Sequence, residues 1–180
     1  MELIESIVKR AQADPQRIIL PEGTEERTLK AADIILEQKI AEIVLLGNKQ
    51  EIEKISADLG LKNIDKAQII DPQDNPNHQK YVDLLFKLRQ RKGMTEEQAY
   101  EQAKDPLYLA CLMIKSGDAD GEVAGAKNYT GSVLRPAFQI VKTAPGIGVV
   151  SGCFIMIFKD KSIGHNGLML FADCAATPNP

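Results

Sequence analysis

The run Gly125-Ala126-Lys127-Asn128-Tyr129-Thr130-Gly131-Ser132-Val133-Leu134-Arg135-Pro136 gathers, in one short segment, groups that bind anions. Lys127 brings a cation, and Asn128, Thr130 and Ser132 bring polar side chains. Gly131 allows close approach to the backbone, and the planar fork of Arg135 suits a phosphate held by two bonds. Val123 to Ala126 is apolar and small and reads as a buried strand end. After the loop, Val133, Leu134, Ala137, Phe138 and Val141 keep helical spacing, leaving Ser132, Arg135, Gln139 and Lys142 on the other face. A strand end, a polar loop and a helix start together expose free backbone amides at the positive end of a helix dipole, where a phosphate is at home. Proline belongs in a helix's first turn, so helix is expected to begin between Ser132 and Arg135, with Arg135 extended at its mouth. The plainer alternative makes Ser132 an N-cap and Arg135 a surface charge.

The elements around this segment alternate. An amphipathic N-terminal helix is followed by a strand at 17–20, a helix from Thr24 (its N-cap) to about Gln38, and a strand at 41–46. A helix at 49–59, ended by Gly60, and a strand at 67–70 come next. Strands separated by helices of this length predict an α/β fold: a parallel sheet with crossover helices, Rossmann-like and three-layered. Ligands of such sheets lie beyond the carboxyl ends of the strands, which makes Pro21-Glu22-Gly23, Gly47-Asn48 and Gly125 to Ser132 one rim. None of these carries G-x-G-x-x-G or a P-loop pattern, so dinucleotide and ATP binding are disfavoured.

Residues 77–115 read as helix almost throughout. Arg89, Arg91 and Lys92 crowd a turn at Gly93, placed either to reach an anionic substrate or to complement a helix C-terminus. Thr95 is a cap and Asp105-Pro106 a helix start. Asp118 and Asp120 read as solvated loop carboxylates, and His78 and His165 as exposed loop histidines. Asp173 is expected to be buried or capping. Strands at Val149–Phe158 and Leu168–Phe171 follow. The expected division is an N-terminal α/β domain at 1–144 and, at 145–180, the first strands of a second α/β domain, apparently incomplete, whose apolar strands favour self-pairing.

The 180 residues are 44% hydrophobic and 26% charged, an ordinary globular composition. The net charge of −3 gives no reason to expect nucleic-acid binding. Cys111, Cys153 and Cys174 lack metal or C-x-x-C spacing and read as buried free thiols suited to a reducing cytoplasm. No apolar run spans a membrane, and the N-terminal helix is not a signal peptide.

Several separated motifs resemble those of the phosphate acetyl/butyryl transferase family, and of its acetyl branch most. They are Arg17 to Gly23, Arg89 to Thr95, Thr130 to Thr143, Ser151 to Met156, Phe171 to Ala175 and Pro178-Asn179-Pro180. The loop from Lys159 to Gly167 departs from the family by being more basic and polar. The resemblance implies acyl transfer between CoA and inorganic phosphate, with acetyl-CoA, phosphate and acetyl phosphate as substrates and no bound metal or redox cofactor. It implies Arg135 and Arg89 as catalytic residues. Ser132, Thr130, Gly131, Asn128, Lys127 and, as second choice to Arg89, Arg91 would bind substrate. It further implies a cytoplasmic homodimer in the full-length form and a general base beyond Pro180. The alternatives are a catalytically incomplete piece that binds phosphate or CoA, and a phosphate butyryltransferase.

Overall fold

The computed structural model describes residues 2–148 and 150–172, and the expectations for Asp173 and Cys174 lie outside them. The described chain runs α1 (Glu2–Ala13), β1 (Arg17–Leu20), α2 (Glu26–Glu37), β2 (Glu42–Leu46), α3 (Lys49–Asp58) and β3 (Gln68–Ile70). It continues through α4 (His78–Arg89), α5 (Glu96–Gln102), α6 (Pro106–Ser116), β4 (Gly121–Glu122) and α7 (Thr130–Pro136), then β5 (Cys153–Ile157) and β6 (Leu168–Ala172). It divides into two units, Met1–Val141 and Lys142–Pro180.

In the first unit, β1 to β4 form a parallel sheet in the order β3-β2-β1-β4, the expected α/β architecture. Alternation along the strands builds two cores. Ile19, Val44 and Leu46 pack on one face with α4, α5 and α6, whereas Leu20, Ile43 and Leu45 pack on the other with Leu29, Ala32, Leu36 and Ile52. A sheet covered on both faces needs apolar strands throughout, hence Ile18-Ile19-Leu20 and Ile43-Val44-Leu45-Leu46. α6 is buried from Leu107 to Met113, so its sequence is apolar all round.

Local signals set most boundaries. Asp105 caps α6 through the amides of Leu107 and Tyr108, with Pro106 in the first turn. Thr95 and Gln98 form a reciprocal capping box on α5. The cap of α2 is Glu25, not Thr24: its carboxylate accepts from the Thr28 amide at 3.0 Å. β4 is Gly121–Glu122, so Val123 to Ala126 is loop rather than strand end.

In the second unit β5 and β6 pair antiparallel, Cys153 opposite Ala172 and Ile157 opposite Leu168. Phe154, Ile155, Leu170 and Phe171 are exposed on this ribbon. Cys153 is exposed as well, against the expectation of a buried thiol, whereas Cys111 is buried in α6. His165 is exposed as expected. His78 is not an exposed loop residue: it opens α4 with its ring edge-on to Tyr100 at 4.6 Å.

Candidate functional site

The order β3-β2-β1-β4 reverses direction at β1, so the switch point of the sheet is the gap between the carboxyl ends of β1 and β4. Two loops meet there. Gly23 donates its amide to the Leu46 carbonyl at 3.1 Å, and a Cβ at Gly23 would sit 2.6 Å from that oxygen, so only glycine lets the chain turn this close to β2. This fixes Glu22, which is buried with 7% of its surface exposed. Its carboxylate accepts from the amides of Gly125 (3.0 Å), Ala126 (2.7 Å), Lys127 (2.8 Å) and Asn128 (2.7 Å), and from the Asn128 side chain (2.8 Å). Burial alone would raise the Glu22 carboxyl, but these donors outweigh it and hold it below its ordinary 4.5.

The free amides expected at the rim between Gly125 and Asn128 are therefore taken by Glu22. The donors remaining at the helix mouth are the amides of Thr130 and Gly131, which have no hydrogen-bond partner among the described residues. Lys127 and Thr130 to Ser132 are exposed there, and Asn128 is half-buried.

The helix itself differs from expectation. It starts at Thr130, with Tyr129 as an N-cap that makes no side-chain capping bond, so Ser132 lies in the first turn rather than capping it. Arg135 is helical, not extended. Pro136 lies inside the helix and cannot donate to the Ser132 carbonyl; the chain widens into a π-helical turn, Ala137–Val141, directly after it. Pro136 itself is fully buried.

α7 and the π-turn pack against α6, and Tyr108 is the point of contact. Its hydroxyl donates to Gln139 Oε1 at 3.1 Å. Burial pushes the phenol up; the charge of Arg135, followed by those of Asp105 and Arg89, acts on it, the two guanidiniums pulling it down. Arg89 ends α4 before the turn Gln90–Lys92, half-buried, its Nε shut from solvent without a hydrogen-bond partner. Arg91 is exposed in that turn. Arg89 and Arg135, 46 residues apart in sequence, are thus both near enough for their charges to act on Tyr108.

Sequence reasoning passed over a second acid near the rim. Glu122, at the end of β4, is half-buried; the Cys111 thiol donates to its Oε2 at 3.5 Å, and its Oε1 is shut from solvent without a partner among the described residues. Burial pushes the carboxyl up to about 7, and the Glu22 charge adds to that. The same burial pushes the Cys111 thiol up, with Glu122 contributing. The signal available was position, since Glu22 lies just past the end of β1 and Glu122 ends β4, both at the carboxyl rim. Among the described residues no group of three or more His, Cys, Asp or Glu could hold a metal ion, and no helix is long and apolar enough to cross a membrane.

Residues 2–180 match the family described as Phosphate acetyl/butaryl transferase. The chain is 50% identical over 180 residues to the phosphate acetyltransferase of Thermoanaerobacterium thermosaccharolyticum, covering 100% of this chain and 54% of the relative. It is 48% identical over 180 residues to that of Clostridium acetobutylicum, covering 100% of this chain and again 54% of the relative. A phosphotransacetylase crystal structure from Streptococcus pyogenes superposes with a TM-score of 0.87 at 29% identity, over 97% of this chain and 51% of that one. The chain spans about half the length of these relatives.

Proposed function

We propose, because the chain belongs to the phosphate acetyl/butaryl transferase family, that it carries the phosphate-binding part of an acyltransferase that moves an acetyl group between CoA and inorganic phosphate. In acetyl-CoA + phosphate = CoA + acetyl phosphate, a phosphate oxygen forms a bond to the acetyl carbon as the carbon–sulfur bond breaks. The phosphate proton passes to the departing sulfur. Both acyl carriers are anionic, so the reaction needs cations to bring phosphate to the carbonyl and donors for the oxyanion that develops.

The observation that supports this reading is that Arg135, on the helix after the rim loop, and Arg89, at the end of α4, both act by their charge on Tyr108 of α6. Arg135 holds the phosphate group by two parallel bonds, and Arg89 supplies the second cation from the end of α4. The Thr130 and Gly131 amides and the Ser132 and Thr130 hydroxyls line the approach, with Lys127 and Asn128 on the preceding loop. Arg91 adds charge from the exposed turn. The base that takes the CoA thiol proton in the reverse direction comes from the part of the longer relatives that this chain does not match. On the same reading the protein acts in the cytoplasm, as a homodimer, without bound metal or redox cofactor.

The test is phosphate-dependent release of CoA thiol from acetyl-CoA, with butyryl-CoA alongside and direct binding of acetyl phosphate in parallel. Arg135→Ala is expected to lower turnover or acetyl phosphate affinity by about a hundredfold. An Arg135→Ala chain that retains both would refute the reading. Preference for butyryl-CoA would move the protein to the other branch of the family.

A further inference from the structure

We propose that Glu22 is a positioning residue for the anion site: its carboxylate fills the switch-point crevice and clamps residues 125–128, so that α7 presents Arg135 and its neighbours in one fixed orientation. The inference rests on the reading of Arg135, Ser132 and Thr130 as that site. Four consecutive amides pointing at one centre form a concave nest of the kind that holds anionic ligands. Here the anion is internal. Glu22 receives all four amides and the Asn128 side chain, each at 2.7–3.0 Å, and is buried. A phosphate competing for the nest would have to displace five charge-assisted bonds and leave the carboxylate buried without them. The nest is therefore a structural joint, and substrate meets the donors beyond it.

Both sides of the joint are anchored. Glu22 is held to the sheet through the Gly23 amide on the Leu46 carbonyl. The loop leaves β4 with the Val123 amide on the Ile19 carbonyl at 3.0 Å, and turns at Gly125 with φ of +108°, a conformation that favours glycine. Arg27 grips the loop from outside, its Nη2 donating to the Ala126 carbonyl while its Nε is paired with Glu25. One short segment, Glu22 to Arg27, thus takes the loop's amides on the inside and a carbonyl on the outside. Only Tyr129 separates the clamped stretch from the first residue of α7, so a loop free to move would carry the helix mouth with it.

The experiment compares the unaltered chain with Glu22→Gln by residue-resolved amide hydrogen exchange without ligand, and by acetyl phosphate binding. A neutral carboxamide turns one acceptor into a donor facing other donors. Exchange at 125–128 is expected to rise about tenfold or more, while Ile19 and Leu45 in the sheet stay unchanged. Acetyl phosphate affinity is expected to fall by about tenfold with the fold intact. Unchanged exchange in the loop overturns the clamp. Released exchange with unaltered affinity overturns the positioning role. If Glu22→Gln does not fold, Arg27→Ala, altered on the solvent side, decides: a rise of about threefold at Ala126 to Asn128 supports the clamp and no rise overturns it. Failure of the unaltered chain to bind acetyl phosphate would overturn the functional reading instead, leaving the exchange comparison to decide the clamp.

Discussion

Glu122→Gln should make the protein more stable at pH 8 and abolish a pH dependence that the natural chain carries. The Glu122 carboxyl is raised by burial from an ordinary 4.5 to about 7, with the nearby Glu22 charge adding to the effect. Its Oε1 has no partner among the described residues, and its Oε2 has only a weak thiol donor, Cys111, at 3.5 Å. Below pH 4.5 the group is protonated in both the folded and unfolded states and contributes no slope. Between there and about pH 7 the unfolded chain releases its proton and the folded one keeps it, so stability falls as pH rises. Above pH 7 the penalty is complete, and a shift of this size corresponds to roughly 3 kcal/mol.

Glutamine keeps the shape and removes the charge, but it leaves a polar atom in the same dry place. The expected gain at pH 8 is therefore smaller, about 1–2 kcal/mol. Urea unfolding of both chains from pH 5 to 8 would measure it. The difference between the chains, rather than either curve, isolates Glu122, because every other titrating group is common to both. A difference that stays constant from pH 5 to 8 would refute the argument.

Asp118 should behave in the opposite sense. Lys80, Tyr81 and Ser116 all donate to it and outweigh its burial, holding it below its ordinary 3.8. Its stabilisation is complete above that value and lost only as pH falls through its folded value, and Asp118→Asn should cost about 2 kcal/mol in urea at pH 7. Equal stability would show that these bonds contribute nothing. Native alkylation followed by mass spectrometry should label exposed Cys153 quickly and buried Cys111 only on unfolding, because burial also keeps the Cys111 thiol protonated. Equal rates would contradict the packing of α6. The exposed apolar ribbon of β5 and β6 should drive concentration-dependent association seen by light scattering, reduced by Phe154→Lys with Leu170→Lys. A clean monomer at high concentration would contradict it.

Much of the fold was legible because its signals are local. β1 is the predicted 17–20, α6 begins at the predicted Asp105-Pro106, and Thr95 caps α5, since an apolar run or a capping side chain acts within a few residues. The readings that failed depend on distant partners. Asp118 reads as solvated until Lys80 and Tyr81 arrive from α4, and His78 as exposed until Tyr100 covers it from α5. The start of α7 differs because Pro136 reads as a first-turn residue, whereas it is the last residue of the helix and is followed by a π-turn. Glu22 looked like part of a Pro-Glu-Gly turn because the amides it binds lie more than 100 residues away.

That last contact changes how an anion could be held here. A rim loop with free amides would recognise phosphate through backbone dipoles, largely independent of side chains. With those amides spent on Glu22, and with α7 only seven residues long before the π-turn, little backbone dipole is left for a ligand. On the proposed reading, recognition then falls on side-chain cations. The acids Glu22 and Glu122 lie at the carboxyl ends of β1 and β4, whereas the charges of Arg135 and Arg89 act on Tyr108 of α6. In a chain of net charge −3, attraction for phosphate must be created locally. On the proposed reading, two guanidiniums carried by different helices, α4 and α7, create it beside a loop whose own amides are already taken.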